Sequence, residues 1–86
     1  MPPPKAKRPT AAQFEALRRL HAMGGEVGYL EWRNSGPPWI RFSTALLVLQ
    51  QAWIAMDDPR FVSLTDTGKA VVLRGDYVGL RGRKGL

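Results

Sequence analysis

Apolar positions recur at helical spacing twice along this chain, and two short apolar runs flank a cluster of turn residues. In "TAAQFEALRRLHAM", Phe14, Leu17 and Leu20 fall on one side, with Ala16 and Met23 near its edges. Thr10 is a suitable N-cap, and Gln13 three places later completes a Thr-x-x-Gln capping box. Gly24-Gly25 then ends the helix, because glycine takes backbone conformations that other residues avoid. "STALLVLQQ" predicts a second helix with Ser43 or Thr44 as its cap. Phe42, Leu46 and Leu49 follow one another at spacings of four and three, and Trp53 continues the stripe. That phase turns Leu46 and Leu49 inward and leaves Leu47 and Val48 on or near the opposite face.

The remaining segments are shorter. Val27 predicts a short edge strand, and Tyr29, Leu30, Trp32 and Arg33 a short helix with Leu30 inward. "NSGPP" is a turn, since Gly36, Pro37 and Pro38 do not continue a helix. "WIAM" and "FVSL" are separated by "DDPR", where Asp initiates a turn and Pro59 fixes one backbone angle. The pattern predicts a hairpin in which Trp53–Met56 pairs antiparallel with Phe61–Leu64. The competing reading extends the preceding helix through Met56. At "LTDTGKAVVLRG" a new helix starts, with Thr65 as N-cap and Asp66 in the first turn, and Gly75 stops it. One further apolar contact is expected from Tyr77, Val78 or Leu80.

A chain of 86 residues is sized for one small domain. The boundaries read from composition are a basic arm over 1–9, a folded domain over 10–75 and a basic tail over 76–86. "MPPPKAKRP" is rich in proline and lysine, which predicts an extended, mobile arm. The net charge of +6 comes from the two ends: Lys5, Lys7 and Arg8 in one, and Arg74, Arg81, Arg83 and Lys84 against Asp76 in the other. Basic ends hold phosphate without reading sequence, or simply confer solubility. Neither a secretory leader nor an apolar run long enough for a membrane span is present, so a soluble cytoplasmic protein is expected. With no cysteine and a single histidine, His21, no metal or cofactor is expected. The Asp57-Asp58 pair reads as a solvated turn rather than acid–base machinery, so the chain is not expected to be an enzyme.

The predicted order is helix, short helix, turn, helix, hairpin, helix. With "FVSLTDTGK" at Phe61–Lys69, it resembles a winged helix-turn-helix domain of the MarR and PadR type. In that family an apolar-x-Leu-Thr strand end runs into a helix opened by x-x-Gly and a basic residue, and Leu64, Thr65, Gly68 and Lys69 match. The resemblance implies an α+β fold: three helices, a two- or three-stranded hairpin wing and an additional C-terminal helix. It also implies roles for each part. Leu64 packs inward, Thr65 caps, and Gly68 allows close helix approach. Three features depart from the family: an acidic wing tip, a long turn before the recognition helix, and aliphatic residues on that helix where water and phosphate would lie.

Two functions follow from this resemblance. In a DNA-binding transcriptional regulator, Thr44, Gln50 and Gln51 face bases of double-stranded DNA. Arg33 and Arg41 contact phosphate, Arg60 supports the wing, and Lys5, Lys7, Arg8, Arg81, Arg83 and Lys84 clamp the backbone. Such a small chain would bind as a homodimer on paired half-sites. In the alternative, Trp39, Ile40, Leu47 and Val48, with Trp32 beside them, form a protein interface. The domain is then an inhibitor or adaptor of a larger protein, as small bacterial or phage-encoded proteins often are.

Overall fold

The computed structural model describes residues 8–75, 77 and 78. Along them run α1 (Ala11–Ala22), β1 (Glu26–Gly28), α2 (Tyr29–Arg33), α3 (Phe42–Gln50), β2 (Ile54–Ala55), β3 (Phe61–Leu64) and α4 (Asp66–Arg74). The domain is α+β: four helices and one three-stranded antiparallel sheet among the described residues.

α1 is the central helix and packs against α3, α4 and β3. Its start is fixed by the expected capping box, with Thr10 Oγ1 accepting from Gln13 N–H and Gln13 Oε1 accepting from Thr10 N–H. Ala16, Leu17 and Leu20 form its buried face. The chain then reverses through Gly24 and Gly25, whose φ angles of 101° and 87° favour glycine.

The hairpin forms around "DDPR", though its first strand pairs through Ile54 and Ala55 alone and not over the whole of Trp53–Met56, and α3 stops at Gln50 rather than running on to Met56. β3 is the middle strand, pairing Ile54 with Leu64 on one side and Val27 with Val62 on the other. Val27 therefore does lie in an edge strand. Together Leu17, Leu20, Trp32, Val48, Ile54 and Val62 make the deepest layer of a single core that Trp53 and Val71 extend.

The joint between β3 and α4 follows the reading of "LTDTG". Thr65 Oγ1 accepts from Gly68 N–H at 3.0 Å and donates to the Ala52 carbonyl at 2.6 Å. One hydroxyl thus caps α4 and ties it to the turn where α3 becomes β2. That turn is left-handed at Ala52, φ 62°, a conformation costly for a residue with a Cβ. Thr65→Ala removes both bonds and is expected to lower stability by about 1–2 kcal/mol, measured by urea denaturation. Thr65→Ser, which keeps the hydroxyl, is expected to recover most of it.

Several expectations are corrected. In α2 it is Trp32, not Leu30, that points inward: Trp32 is fully buried and Leu30 is 65% exposed. The indole reaches the core because its Nε1–H donates to the Ala16 carbonyl at 2.9 Å, so no polar atom is stranded. Trp32 is therefore no part of an interface. α3 begins two or three residues early, with Arg41 at the N-cap in place of Ser43 or Thr44 and no side-chain capping bond. Its phase is also rotated: Ala45 and Val48 are buried, while Leu46 and Leu49 are 40% and 37% exposed. Both flanks of the helix fix this phase. Ile40 is buried and locked to α2 by Ile40 N–H to Arg33 O and Arg33 Nε to Ile40 O, both 2.9 Å. At the other end Trp53 is buried and donates its N–H to Val48 O. Between these anchors the small Ala45 and the β-branched Val48 face inward, so Ile40 and Val48 are core, not interface.

Pro9 is buried and its carbonyl accepts from Val78 N–H at 2.8 Å, which attaches it to the domain rather than to the arm. A parallel bridge joins Thr10 to Val78, and the Tyr77 ring stacks on Phe14 at 5.0 Å. This is the extra contact expected after α4. The arm expected over 1–8, apart from Arg8, and Leu80 lie outside the described residues.

Candidate interface on helix α3

The outer side of α3 carries Phe42, Leu46, Leu47 and Leu49, each between 37% and 60% exposed. Ser43 and Gln50 lie among them, and no charged residue occurs from Phe42 to Gln50. The helix carries no charge, and its apolar residues lie both inward, at Ala45 and Val48, and on the two flanks of the outer side around Ser43 and Gln50. That composition is the signal the sequence held: with Ala45 and Val48 as apolar as Leu46 and Leu49, one of two apolar faces had to be outside.

Trp39 stands just before α3, 65% exposed. It forms one wall of a cleft of about 360 Å³ between α1 and the start of α3, which Glu15, Arg19, Arg41, Ser43 and Thr44 also line. Thr44 thus points into the α1 side of the helix and is half-buried, away from where Gln50 sits. Arg19 is occupied, donating to Glu15 at 3.0 Å and to the Pro38 carbonyl at 2.8 Å. Glu15 also takes Arg18 at 2.6 Å, and chiefly that bond holds its carboxyl below the usual range. Glu15 and Arg19 are thus paired with each other in the cleft, which Arg41 lines as a further cation.

The arginines expected at phosphate are largely engaged. The Arg33 guanidinium, bound to Ile40 O, lies 5.7 Å from the Tyr29 ring and 5.9 Å from the Phe42 ring. At the β2–β3 turn Arg60 pairs with Asp58 at 2.8 Å, while its backbone N–H donates to the same carboxylate. Those bonds, the side-chain ones foremost, hold the Asp58 carboxyl below its usual range, so it stays ionised at neutral pH. With Asp57 beside this pair, the turn is net negative. Arg41 and Gln50 are exposed and Gln51 is half-buried at the end of α3. Lys5, Lys7, Arg81, Arg83 and Lys84 lie outside the described residues, and Arg8 is exposed beside Pro9.

Of the residues expected at a protein interface, Trp39 and Leu47 are on the surface, and Phe42, Leu46 and Leu49 join them in place of Ile40 and Val48. Among the described residues no three His, Asp or Glu side chains converge as a metal site needs, and no helix is long and apolar enough to cross a membrane.

Fold and surface together define a small α+β domain that presents one uncharged apolar helix. No family model, curated protein or solved structure matches the chain.

Proposed function

We propose that this domain is a winged helix whose third helix docks on protein instead of reading DNA. The order α1-β1-α2-α3-β2-β3 with β3 central, and an added α4, supports the winged-helix assignment. The observation that carries the docking role is the exposed, uncharged outer side of the helix at the recognition position, with Phe42, Leu46 and Leu49 on one flank and Leu47 on the other. Aliphatic side chains there lose the benefit of water exclusion against phosphate and gain it against another apolar surface. The acidic β2–β3 turn opposes DNA on the neighbouring element as well.

The basic ends have a separate role as a tether for a polyanion. Thr10 and Val78 are bridge partners, so the segments carrying Lys5, Lys7, Arg8 and Arg81, Arg83, Lys84 leave the domain from neighbouring points. Rooted together, they act on one phosphate backbone without base reading.

Leu47→Glu and an Arg41→Ala/Gln50→Ala double variant separate docking from reading. A partner captured from the cells that make the protein, then reconstituted from purified components, is expected to bind Leu47→Glu at least about tenfold more weakly. Duplex DNA binding is expected to be indifferent to both variants and to the DNA sequence. Its log–log salt slope, roughly −4 to −5, is expected to vanish when both ends are removed. Sequence-selective DNA binding that Arg41→Ala/Gln50→Ala abolishes and Leu47→Glu leaves intact would reject the docking reading.

A further inference from the structure

Resting on the reading of α3 as a docking face, we infer that the protein partner enters by a short acidic segment, which seats a carboxylate beside Arg41 in the α1–α3 cleft and lays apolar side chains on Trp39 and Leu47. Three observations select that occupant.

The first is charge. Glu15, Arg19 and Arg41 are the charged residues that line the cleft. Glu15 is already taken twice, by Arg18 at 2.6 Å and by Arg19 at 3.0 Å, so these three together leave one positive charge. Arg41 adds a second. Among the described residues its side chain has no ion pair and no hydrogen bond, and no acidic residue lies in the first turn of α3 to answer it. It stands at the start of the helix, the end where the helix dipole disfavours a cation. The cleft therefore lacks a carboxylate that the chain itself does not provide, and a partner of complementary charge supplies it.

The second is the way Trp39 is held. Both of its neighbours are tied down. Pro38 O accepts from Arg19 Nη1 at 2.8 Å, Ile40 N–H donates to Arg33 O at 2.9 Å, and the Ile40 side chain is buried. The indole between them is nonetheless exposed. An aromatic side chain standing out from a fixed backbone loses little freedom when it is covered, and tryptophan is among the residues that dominate interface energy.

The third is shape. Leu47 follows Ser43 and Thr44 by one turn on the same flank of α3, so the cleft opens onto an exposed leucine. Its volume of about 360 Å³ is at the small end for a binding pocket and far too little to enclose a helix. What fits is an extended stretch of a few residues. The hydroxyls of Ser43 and Thr44 line the cleft with Arg41 and are able to donate to the same carboxylate. A nucleic-acid phosphate would answer Arg41 equally well, but it gains nothing from the leucine beyond it, which an apolar peptide side chain covers.

The test uses the full chain and random peptides of about twelve residues displayed on phage, selected on the wild-type protein. The selected peptides are expected to share an Asp or Glu next to an apolar residue. Synthesised and titrated in solution, they are expected to shield Trp39 from the neutral quencher acrylamide. Trp32 and Trp53 are buried, so Trp39 is the accessible indole. Arg41→Glu is expected to weaken binding at least about tenfold, and lysine in place of the peptide's acid to recover it for that variant alone. Because Arg41 is exposed, the variant is expected to keep the wild-type circular dichroism spectrum. Selected peptides without a carboxylate, or peptides that Arg41→Glu binds as wild type does, overturn the acidic segment. If Leu47→Glu still weakens those peptides, α3 remains a docking face for a partner of other chemistry; if it does not, the docking reading falls with the acidic segment. Absence of any binder also overturns the acidic segment, and the response of the reconstituted partner to Leu47→Glu then decides docking separately. A random duplex of about twelve base pairs that shields Trp39 at about 0.15 M salt, and does so only with Arg41 present, makes the cleft a phosphate site and overturns the peptide.

Discussion

Gly68→Ala is expected to lower stability by about 3 kcal/mol, although alanine is the better helix former by about 1 kcal/mol. A Cβ at position 68 would fall well inside contact distance of the Trp53 carbonyl oxygen, and 2.9 Å from both the Trp53 carbonyl carbon and Leu64 Cδ1. Two of those atoms are backbone, and the oxygen already accepts the Thr65 N–H at 3.1 Å, so neither can swing aside as a flexible side chain would. The conflict is resolved only by moving α4 away from the α3–β2 turn, which also pulls on the Thr65–Ala52 bond. For a domain of this size the loss corresponds to a fall in melting temperature of roughly 12–24 °C, read by circular dichroism. Gly24→Ala gives a contrast of another kind: no atom lies near its Cβ, and its cost comes from the left-handed backbone alone. A Gly68→Ala protein melting within a few degrees of wild type would show that α4 is not held against Trp53.

Trp32→Ala and Trp39→Ala are expected to differ in stability by at least about 2.5 kcal/mol, though both delete the same indole. Trp32 is fully enclosed by the core and its Nε1–H is satisfied by Ala16 O, so truncation leaves a cavity and removes a bond, costing about 3–5 kcal/mol. Trp39 is 65% exposed and makes a wall of the α1–α3 cleft, so its truncation is expected within about 0.5 kcal/mol of wild type. Urea titration of the three proteins at one temperature checks the pair. If Trp39→Ala matched Trp32→Ala, the exposed position of Trp39 would be wrong.

The local signals were the legible ones. Thr10-x-x-Gln13, "DDPR" and Thr65-x-x-Gly68 each specify a turn or helix start through bonds within a few residues, and each forms as its sequence directs. Trp53 was legible as core because both alternatives for its segment buried it. The phase of α3 was not legible. Periodicity selects an inward face only when the other face is polar, and Ala45 and Val48 are apolar too. What decided between the faces was the Arg33–Ile40 lock and the Trp53–Val48 bond, contacts across the turns at either end of the helix that its periodicity does not report. Leu30 and Trp32 were likewise undecidable from a single turn of helix, until the Ala16 carbonyl, sixteen residues earlier, gave the indole N–H its acceptor. The candidate interface inherited the error in α3: Leu47 and Trp39 were identified as surface, Val48 and Ile40 were exchanged for Phe42, Leu46 and Leu49.

The bridge between Thr10 and Val78 makes this domain a portable cassette. Its two attachment points, Pro9 and Val78, are within one backbone hydrogen bond of each other, 2.8 Å from O to N. A host protein could therefore accept residues 9–78 in place of a surface loop with little separation of the loop's two stems, as domain insertions require. By the same geometry a short linker from Val78 to Pro9 would close the domain into a ring. New termini opened between Asp57 and Asp58, in the exposed β2–β3 turn, would leave every helix and the outer side of α3 intact.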